Sequence, residues 1–275
     1  MHVSFAATCF VVLCLTALRC GAHWCDPDHI VWSDDGASVH IPVGCGKADD
    51  EAINLSFSQL GSRAVEILAK ALQMSQAKRL ILEGNQIGYR GAAALAALVA
   101  RNTRLQSLDL SQNRIGDEGA FLIADALRNN TRLRKLMLGD NGIGPRGAVA
   151  VALAVGNGKT WFNADGARPK EKQSTNKHLN SVWLSYNPIG DAGGVVLGEV
   201  LSGNTTLAGD STTRRGSAGG SRKLPGIQKI YLAHCKISDF GAAALGSGLV
   251  DNPYITHLVI TGNPVSNSMV AGPLL

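Results

Sequence analysis

The stretch Leu105–Asn130, LQSLDLSQNRIGDEGAFLIADALRNN, decides the fold of this 275-residue chain. It begins with a short strand-like piece, Leu108–Leu110, and continues into a predicted amphipathic helix from about Asp117 to Leu127. Neither piece can bury its apolar face alone. Because the same unit recurs before and after it, we expect the units to stack and to share one continuous core.

Seven units align on the apolar residue that opens each predicted strand. The openings are 27, 28, 28, 46, 48 and 28 residues apart, so two steps exceed the period. In five units an asparagine follows five residues later, and Ser58 and Cys235 stand there in the other two. The opening residues are Ile53, Leu80, Leu108, Leu136, Val182, Ile230 and Leu258.

The pattern L-x-L-x-x-N-x-I-G-x-x-G-A, followed by an alanine- and leucine-rich helix, resembles the leucine-rich repeat of the ribonuclease-inhibitor type. The units that carry it are LILEGNQIGYRGAAALAALV, LDLSQNRIGDEGAFLIADAL, LMLGDNGIGPRGAVAVALAV and VWLSYNPIGDAGGVVLGEVL. The resemblance covers residues 53–275. It implies an α/β solenoid, a horseshoe of about seven repeats with parallel strands on the concave face and helices on the convex face.

Polar residues at fixed places have expected structural roles. An asparagine amide can satisfy backbone groups that are buried in the turn after the strand. Cys235 takes the place of that asparagine, which favours a structural role over a reactive thiol. Asp117 and Asp191 follow the turn glycine, where a carboxylate suits the exposed amides at the start of its helix.

Residues 1–22 are predicted to be a signal peptide. Val3–Leu18 carries no charge and is short for a membrane span, which needs about 20 residues. Small residues at Cys20 and Ala22 suit cleavage after Ala22. The first two residues lack lysine and arginine, so an uncleaved anchor and a mispredicted start are the alternatives. We expect a secreted or extracellular protein, or a cytoplasmic one if this segment is not a signal.

Residues 23–50 match no repeat and are predicted to cap the apolar end of the stack. A disulfide between Cys25 and Cys45 would stabilise this short segment by about 3 kcal/mol. Two free buried thiols are the alternative. The acidic residues at positions 26–35 do not fit the spacing of a calcium loop, so no metal site is predicted.

Residues 51–275 form the predicted leucine-rich-repeat domain, with insertions at about 158–179 and 208–226. Both insertions follow a predicted helix and precede a strand, which would place them on the same rim of the stack. Both are polar and basic. They are interpreted either as a pair of binding loops or as disordered inserts, and sequence wrongly retained in a gene model is a third alternative.

The residues between the strand leucines are predicted to face the concave surface. Because adjacent parallel strands lie about 4.8 Å apart, these side chains should form one apolar strip across the strands. Exposed aromatic residues are typical anchors for a protein partner, and the alternative is that they pack beneath the insertions. With the next row and the flanking lysines, the predicted partner-binding residues are Asp109, Lys135, Met137, Trp183, Tyr186, Lys229, Tyr231 and His234.

Three N-glycosylation sequons begin at Asn54, Asn129 and Asn204. Asn129 and Asn204 fall at predicted helix ends on the outer surface. They are the predicted glycosylation sites of an exported chain.

The sequence contains no phosphate-binding loop, metalloprotease motif or paired-cysteine zinc spacing. Its net charge of +5 is too dispersed to indicate nucleic-acid binding. We therefore expect no enzyme, no cofactor and no membrane span after signal removal. The predicted function is a non-catalytic, exported module that binds a protein partner through its concave face. The alternative that the resemblance implies is a cytosolic regulator of the small-GTPase-activating or innate-immune-sensor type. Oligomeric state is left open.

Overall fold

The computed structural model describes residues 31–32, 39–40, 52–75, 77–155, 178–201, 227–250, 252 and 254–266. For the first two ranges only the backbone is described. The predicted signal peptide, the Cys25–Cys45 disulfide, the Asn204 sequon and most of both insertions lie outside these residues. Those assignments stay predictions.

Strands and helices alternate through the described array, after an antiparallel pair, β1–β2, that lies within the predicted cap. The elements in chain order are β1 (Val31–Trp32), β2 (Val39–His40), β3 (Ala52–Asn54), α1 (Gly61–Ala71), β4 (Arg79–Ile81), α2 (Tyr89–Arg101), β5 (Ser107–Asp109), α3 (Gly116–Asn129), β6 (Lys135–Met137), α4 (Pro145–Val155), β7 (Ser181–Trp183), α5 (Gly190–Leu201), β8 (Lys229–Tyr231), α6 (Asp239–Leu249) and β9 (His257–Val259). A short 3-10 helix, Leu72–Met74, extends α1.

Strands β3 to β9 form one parallel sheet in sequence order. The predicted opening residues pair with one another along the whole sheet, from Ile53 with Leu80 to Ile230 with Leu258. Both long steps keep this register, because Val182 pairs with Leu136 on one side and Ile230 on the other. The predicted α/β solenoid is therefore confirmed. We call the side of the sheet that faces away from the helices the concave face.

One hydrophobic core connects the described repeats. In the opening unit, Leu108, Leu110 and Ile115 from the strand and turn join Ile123 and Leu127 from α3, and all five are buried. Burying each such side chain contributes about 1.5–3 kcal/mol. Since each strand is only three residues long, stability comes from this sideways packing between repeats.

A buried asparagine ties each regular repeat to its neighbours. The amide of Asn113 donates to the carbonyls of Leu82 (2.9 Å) and Leu110 (2.9 Å), and its Oδ1 accepts from the backbone N–H groups of Asn85 (3.0 Å) and Ile87 (2.9 Å). The side chain thus satisfies buried backbone groups of two repeats, as expected. Comparable bonds are made by Asn85, Asn141, Asn187 and Asn263.

Cys235 occupies the asparagine position of the sixth repeat. Its thiol is fully buried, and Sγ lies 3.3 Å from the carbonyl oxygen of Leu184, which corresponds to Leu82 in the bonding pattern of Asn113. Burial raises the pKa of the Cys235 thiol to about 11. The thiol is therefore protonated at neutral pH, donates weakly to that carbonyl and has the properties of a structural group.

Asp117 and Asp191 lie in the first turns of α3 and α5, as predicted, and their hydrogen bonds reach the helix starts of the following repeats. Oδ1 of Asp117 accepts from the backbone N–H groups of Gly144 (2.7 Å) and Gly147 (2.9 Å) at the start of α4. Asp191 accepts from the backbone N–H (2.7 Å) and the hydroxyl (2.6 Å) of Ser238, just before α6. Neighbouring helices start side by side, each with unsatisfied backbone N–H groups. A carboxylate at the start of one helix can therefore reach the N–H groups of the next helix.

Helices α5 and α6 pack backbone against backbone. A Cβ atom on Gly198 would collide with the carbonyl of Ala244, and one on Gly248 would collide with the carbonyl of Gly198. Gly246, on the same helix as Gly248, has no atom within 4 Å of its would-be Cβ. The two helices therefore require glycine at specific contact positions and not throughout.

Candidate partner-binding surface

Met137, Trp183 and Tyr231 pair directly across β6, β7 and β8, and we call them the aromatic strip. The ring centroids of Trp183 and Tyr231 lie 4.2 Å apart, with the planes tilted by 37°. Trp183 is 41% exposed, while Met137 and Tyr231 are half-buried. The structure thus brings the three predicted residues together as one surface.

Ser181 fixes the orientation of the Trp183 ring. The indole Nε1 donates a hydrogen bond of 2.9 Å to the hydroxyl of Ser181, which is buried two residues earlier in β7. Our interpretation of the sequence missed Ser181, although residues two apart in a strand share a face. A ring that is already held in place loses less conformational freedom when a partner binds.

Tyr186 and His234 form a second stacked pair, which we call the rim stack. Their ring centroids lie 4.7 Å apart with an angle of 12°, and both side chains are exposed. The His234 ring also covers Gly262, where a Cβ atom would collide with it. Both residues have positive φ, and this left-handed position recurs in all seven repeats, at Phe57, Gly84, Gln112, Asp140, Tyr186, His234 and Gly262.

Phe57 belongs to the same left-handed row, and the sequence analysis did not include it. Its side chain is exposed, and its ring covers Gly84 of the next repeat. The residue stands far from the aromatic strip, at the first strand of the sheet. A comparison of all seven repeats at this one position could have found it.

Lys135 and Lys229 lie immediately beside the aromatic strip, at the starts of β6 and β8. Both pair with Ser181 of the strand between them, so they stand two strands apart in one row. Lys135 is exposed, Lys229 is half-buried, and exposed Arg134 precedes Lys135. Within the described ranges, no carboxylate forms an ion pair with these three cations.

Asp109 stands apart from the aromatic residues with which it was predicted to act. It pairs with Met137 and is two strands away from Trp183. One of its carboxylate oxygens accepts from the backbone N–H of Ser111 at 2.9 Å. Burial, and secondarily the charge of Asp109, raise the pKa of Glu83. The concave face therefore has an acidic end and an aromatic end.

Asn129 is exposed in the last turn of α3, which is compatible with the predicted glycosylation. The adjacent Asn130 is buried, and its amide donates to the carbonyl of Val99 at 2.6 Å. The two asparagines of this sequon thus have different environments. The modification itself stays a prediction.

Two absences apply only to the part of the chain that the structure describes. Its helices include none with the length and apolarity needed to cross a membrane. Its histidine, cysteine and acidic side chains form no cluster of three that could hold a metal ion.

Comparison with known proteins identifies the repeat. A family model described as "Leucine Rich repeat" matches residues 78–96, 101–124, 129–152 and 175–198. Similar solved structures include leiomodin-1 actin-binding site 2, at 21% identity and a TM-score of 0.39 over 49% of this chain and 70% of that chain. An internalin from Listeria monocytogenes shows 18% identity and a TM-score of 0.31 over 80% of this chain and 69% of that chain. A comparison with curated proteins finds no significant match.

The four matched units coincide with repeats whose strands pair in register and whose asparagines bond between repeats. The chain therefore contains leucine-rich repeats, and the family model matches four of them.

Proposed function

We propose that this chain is an exported, non-catalytic module of the ribonuclease-inhibitor-like type that holds a protein partner on its concave face. Leucine-rich repeats are typically scaffolds for protein interaction and not enzymes. Within that general role, we place the contact at the aromatic strip, with the rim stack beside it.

The observation that carries this proposal is the state of Trp183. Its ring is stacked on Tyr231 and hydrogen-bonded to Ser181, yet it is 41% exposed. Ordered aromatic rings with exposed apolar area are the usual anchors of protein interfaces, because burying them gains much and restricts little further motion. Tyr186 and His234 extend the same kind of surface toward the rim.

Export is supported by the uncharged apolar segment Val3–Leu18 and by the small residues before His23. Expression of the full chain in a secretory cell should release protein whose N-terminal sequence begins at His23. Full-length protein retained in the cytosol would contradict export and would favour the cytosolic-regulator alternative. It would leave the concave-face proposal standing.

The binding site is tested by capture experiments with the tagged full chain in medium from the cells that make it. The double variant Trp183→Ala/Tyr231→Ala should lower partner capture at least about tenfold, since anchor residues contribute about 2 kcal/mol or more. Phe121→Ala is the matched control, because Phe121 on α3 has the same 41% exposure but lies on the helical side.

Circular dichroism and thermal melting should show that all these variants keep the folded array. A partner captured equally by wild type and the double variant would contradict the proposed site. A partner lost only from the double variant, and kept by Phe121→Ala, is the expected result.

A further inference from the structure

The charged groups around the aromatic strip are arranged by side. The strand-start side carries Arg134, Lys135 and Lys229, while the strand-end side carries exposed Asp140 and, further along the turn after β8, exposed Lys236. Two carboxylates of this half of the array bind elsewhere, since Asp191 accepts from the backbone N–H of Ser238 at the start of α6 and Asp239 accepts from the backbone N–H of Ser266. Among the described residues, no carboxylate forms an ion pair with Arg134, Lys135 or Lys229, and Asp109 on the adjacent strand β5 accepts from the backbone N–H of Ser111.

The spacing of the two lysines defines a second feature. They stand two strands apart in one row, which corresponds to about 9.6 Å at the usual strand separation of about 4.8 Å. Two groups on one edge of a polyproline II chain, three residues apart, are separated by about 9.3 Å. In a β-strand the nearest groups on one side are only about 6.8 Å apart.

The surface between the lysines and the rim suits such a chain. Polyproline II segments bind to grooves lined by aromatic rings, and they lose little conformational freedom because the chain is already extended. Trp183 and Tyr231 supply tilted, partly exposed rings directly beside the lysine row.

We propose that the partner presents an acidic, proline-rich segment in the polyproline II conformation, running across β6, β7 and β8. Carboxylates three residues apart contact Lys135 and Lys229, and the prolines between them pack on Trp183 and Tyr231. The carboxylates lie on the strand-start side, because Lys135 and Lys229 stand there in one row and Asp140 lies on the opposite side. This inference rests on the proposed function and specifies the chemistry of its partner.

The test uses fluorescein-labelled synthetic peptides and the full chain, with binding measured by fluorescence anisotropy. The probe GPPEPPEPPG places two glutamates three residues apart, and GPPQPPQPPG is its uncharged control. We expect the glutamate peptide to bind at least about fivefold more tightly, with affinity falling as salt rises. A third peptide, GPPEEPPPPG, keeps the charge but places the glutamates side by side, and it should bind about threefold more weakly than the probe.

Variants of the chain assign the effect to residues. Lys135→Ala/Lys229→Ala should weaken the binding of the glutamate peptide by about fivefold to tenfold and leave the binding of the glutamine peptide nearly unchanged. Trp183→Ala should weaken the binding of both peptides. Arg146→Ala is the matched charge control on α4, where the arginine is exposed on the helical side, and it should change neither affinity by more than about twofold.

Three results would overturn the inference: no binding of the glutamate peptide at about 1 mM, equal binding of all three peptides, or a heparin oligosaccharide that binds through the lysines independently of Trp183. If any of these occurs while partner capture still depends on Trp183 and Tyr231, the acidic segment is wrong and the proposed function stands. If capture is also independent of both aromatics, the proposed function fails as well.

Discussion

Repeats 2–4, which contain β4 to β6, and repeats 5–6, which contain β7 and β8, stack in the same way with different residues. In repeats 2–4 the strand openings are 28 residues apart, and each asparagine bonds to its neighbours. Repeats 5–6 follow the two long steps, yet their strands stay in register. They differ in three ways: Cys235 replaces an asparagine, α5 and α6 pack through glycines, and aromatic rings occupy the concave face.

This difference shows which positions of the repeat are constrained by stacking. The inward strand residues are buried in both regions, so they cannot vary in polarity. The concave positions carry Ile81 and Asp109 in one region and Trp183 and Tyr231 in the other, without a change of register. Side chains on the concave face can therefore vary to suit a partner, because the packing between repeats does not depend on them.

The largest expected effect on stability comes from the asparagine position of the repeat, where Asn113 is compared with Cys235. Asn113→Ala leaves several buried backbone groups unsatisfied, and we expect a loss of about 4 kcal/mol in the free energy of unfolding. Cys235→Ala removes a weakly donating thiol, so the loss should be only about 1–2 kcal/mol. Urea denaturation followed by circular dichroism measures both. Equal losses would show that the thiol of Cys235 stabilises the fold as much as the amide of Asn113 does.

The glycine contacts between α5 and α6 should give the next largest effect. Gly198→Ala places a methyl group against the carbonyl of Ala244, and we expect a loss of about 3 kcal/mol because backbone must move. Gly246→Ala is the control, since it has open space and should gain about 0.5–1 kcal/mol from helix propensity. If both substitutions stabilise the fold, the close helix contact does not exist in solution.

Asp191 connects repeats 5 and 6 with a smaller, pH-dependent contribution. The hydroxyl and backbone hydrogen bonds from Ser238 lower its pKa, so the native state holds this proton more weakly than the unfolded chain does. The stabilisation is present above about pH 4 and is lost as pH falls through the lowered native pKa.

The variant Asp191→Asn should be less stable at pH 7 and should show a shallower loss of stability as the pH falls below about 4. Ser238→Ala should show part of the same change, because it removes one of the bonding groups. Thermal melts across this pH range provide the measurement. A variant with the acid profile of wild type would show that Asp191 does not stabilise the start of α6.

The smallest effect concerns Ser181, which holds the Trp183 ring. Ser181→Ala should reduce the free energy of unfolding by about 1 kcal/mol and weaken partner capture only about threefold, because the ring remains present but less ordered. Melting curves and titrated capture separate these contributions. Loss of binding as complete as in Trp183→Ala would indicate that Ser181 itself contacts the partner.

The sequence was sufficient for features that depend on spacing alone. The strand openings, from Ile53 to Leu258, and the in-register row of Met137, Trp183 and Tyr231 follow from the repeat period and strand alternation. The role of Asn113 follows from the presence of a buried turn.

Features that depend on distances between neighbouring repeats could not be predicted from the spacing of residues along the chain. Asp117 reaches α4 because of how far apart neighbouring helix starts lie, which no spacing along the chain specifies. Gly198 and Gly248 meet only once the contact faces of α5 and α6 are known. The stack of Tyr186 on His234 requires the left-handed backbone that both residues adopt.

The most direct test compares two equivalent left-handed positions, Gln112 in repeats 2–4 and Tyr186 in repeats 5–6. A photoreactive benzoyl-phenylalanine replaces each in turn, in the full chain, and the protein is irradiated in medium that contains the partner. We predict a crosslinked species from position 186 and little or none from position 112. An equal or stronger crosslink from position 112 would contradict the claim that the aromatic end of the concave face is the binding surface.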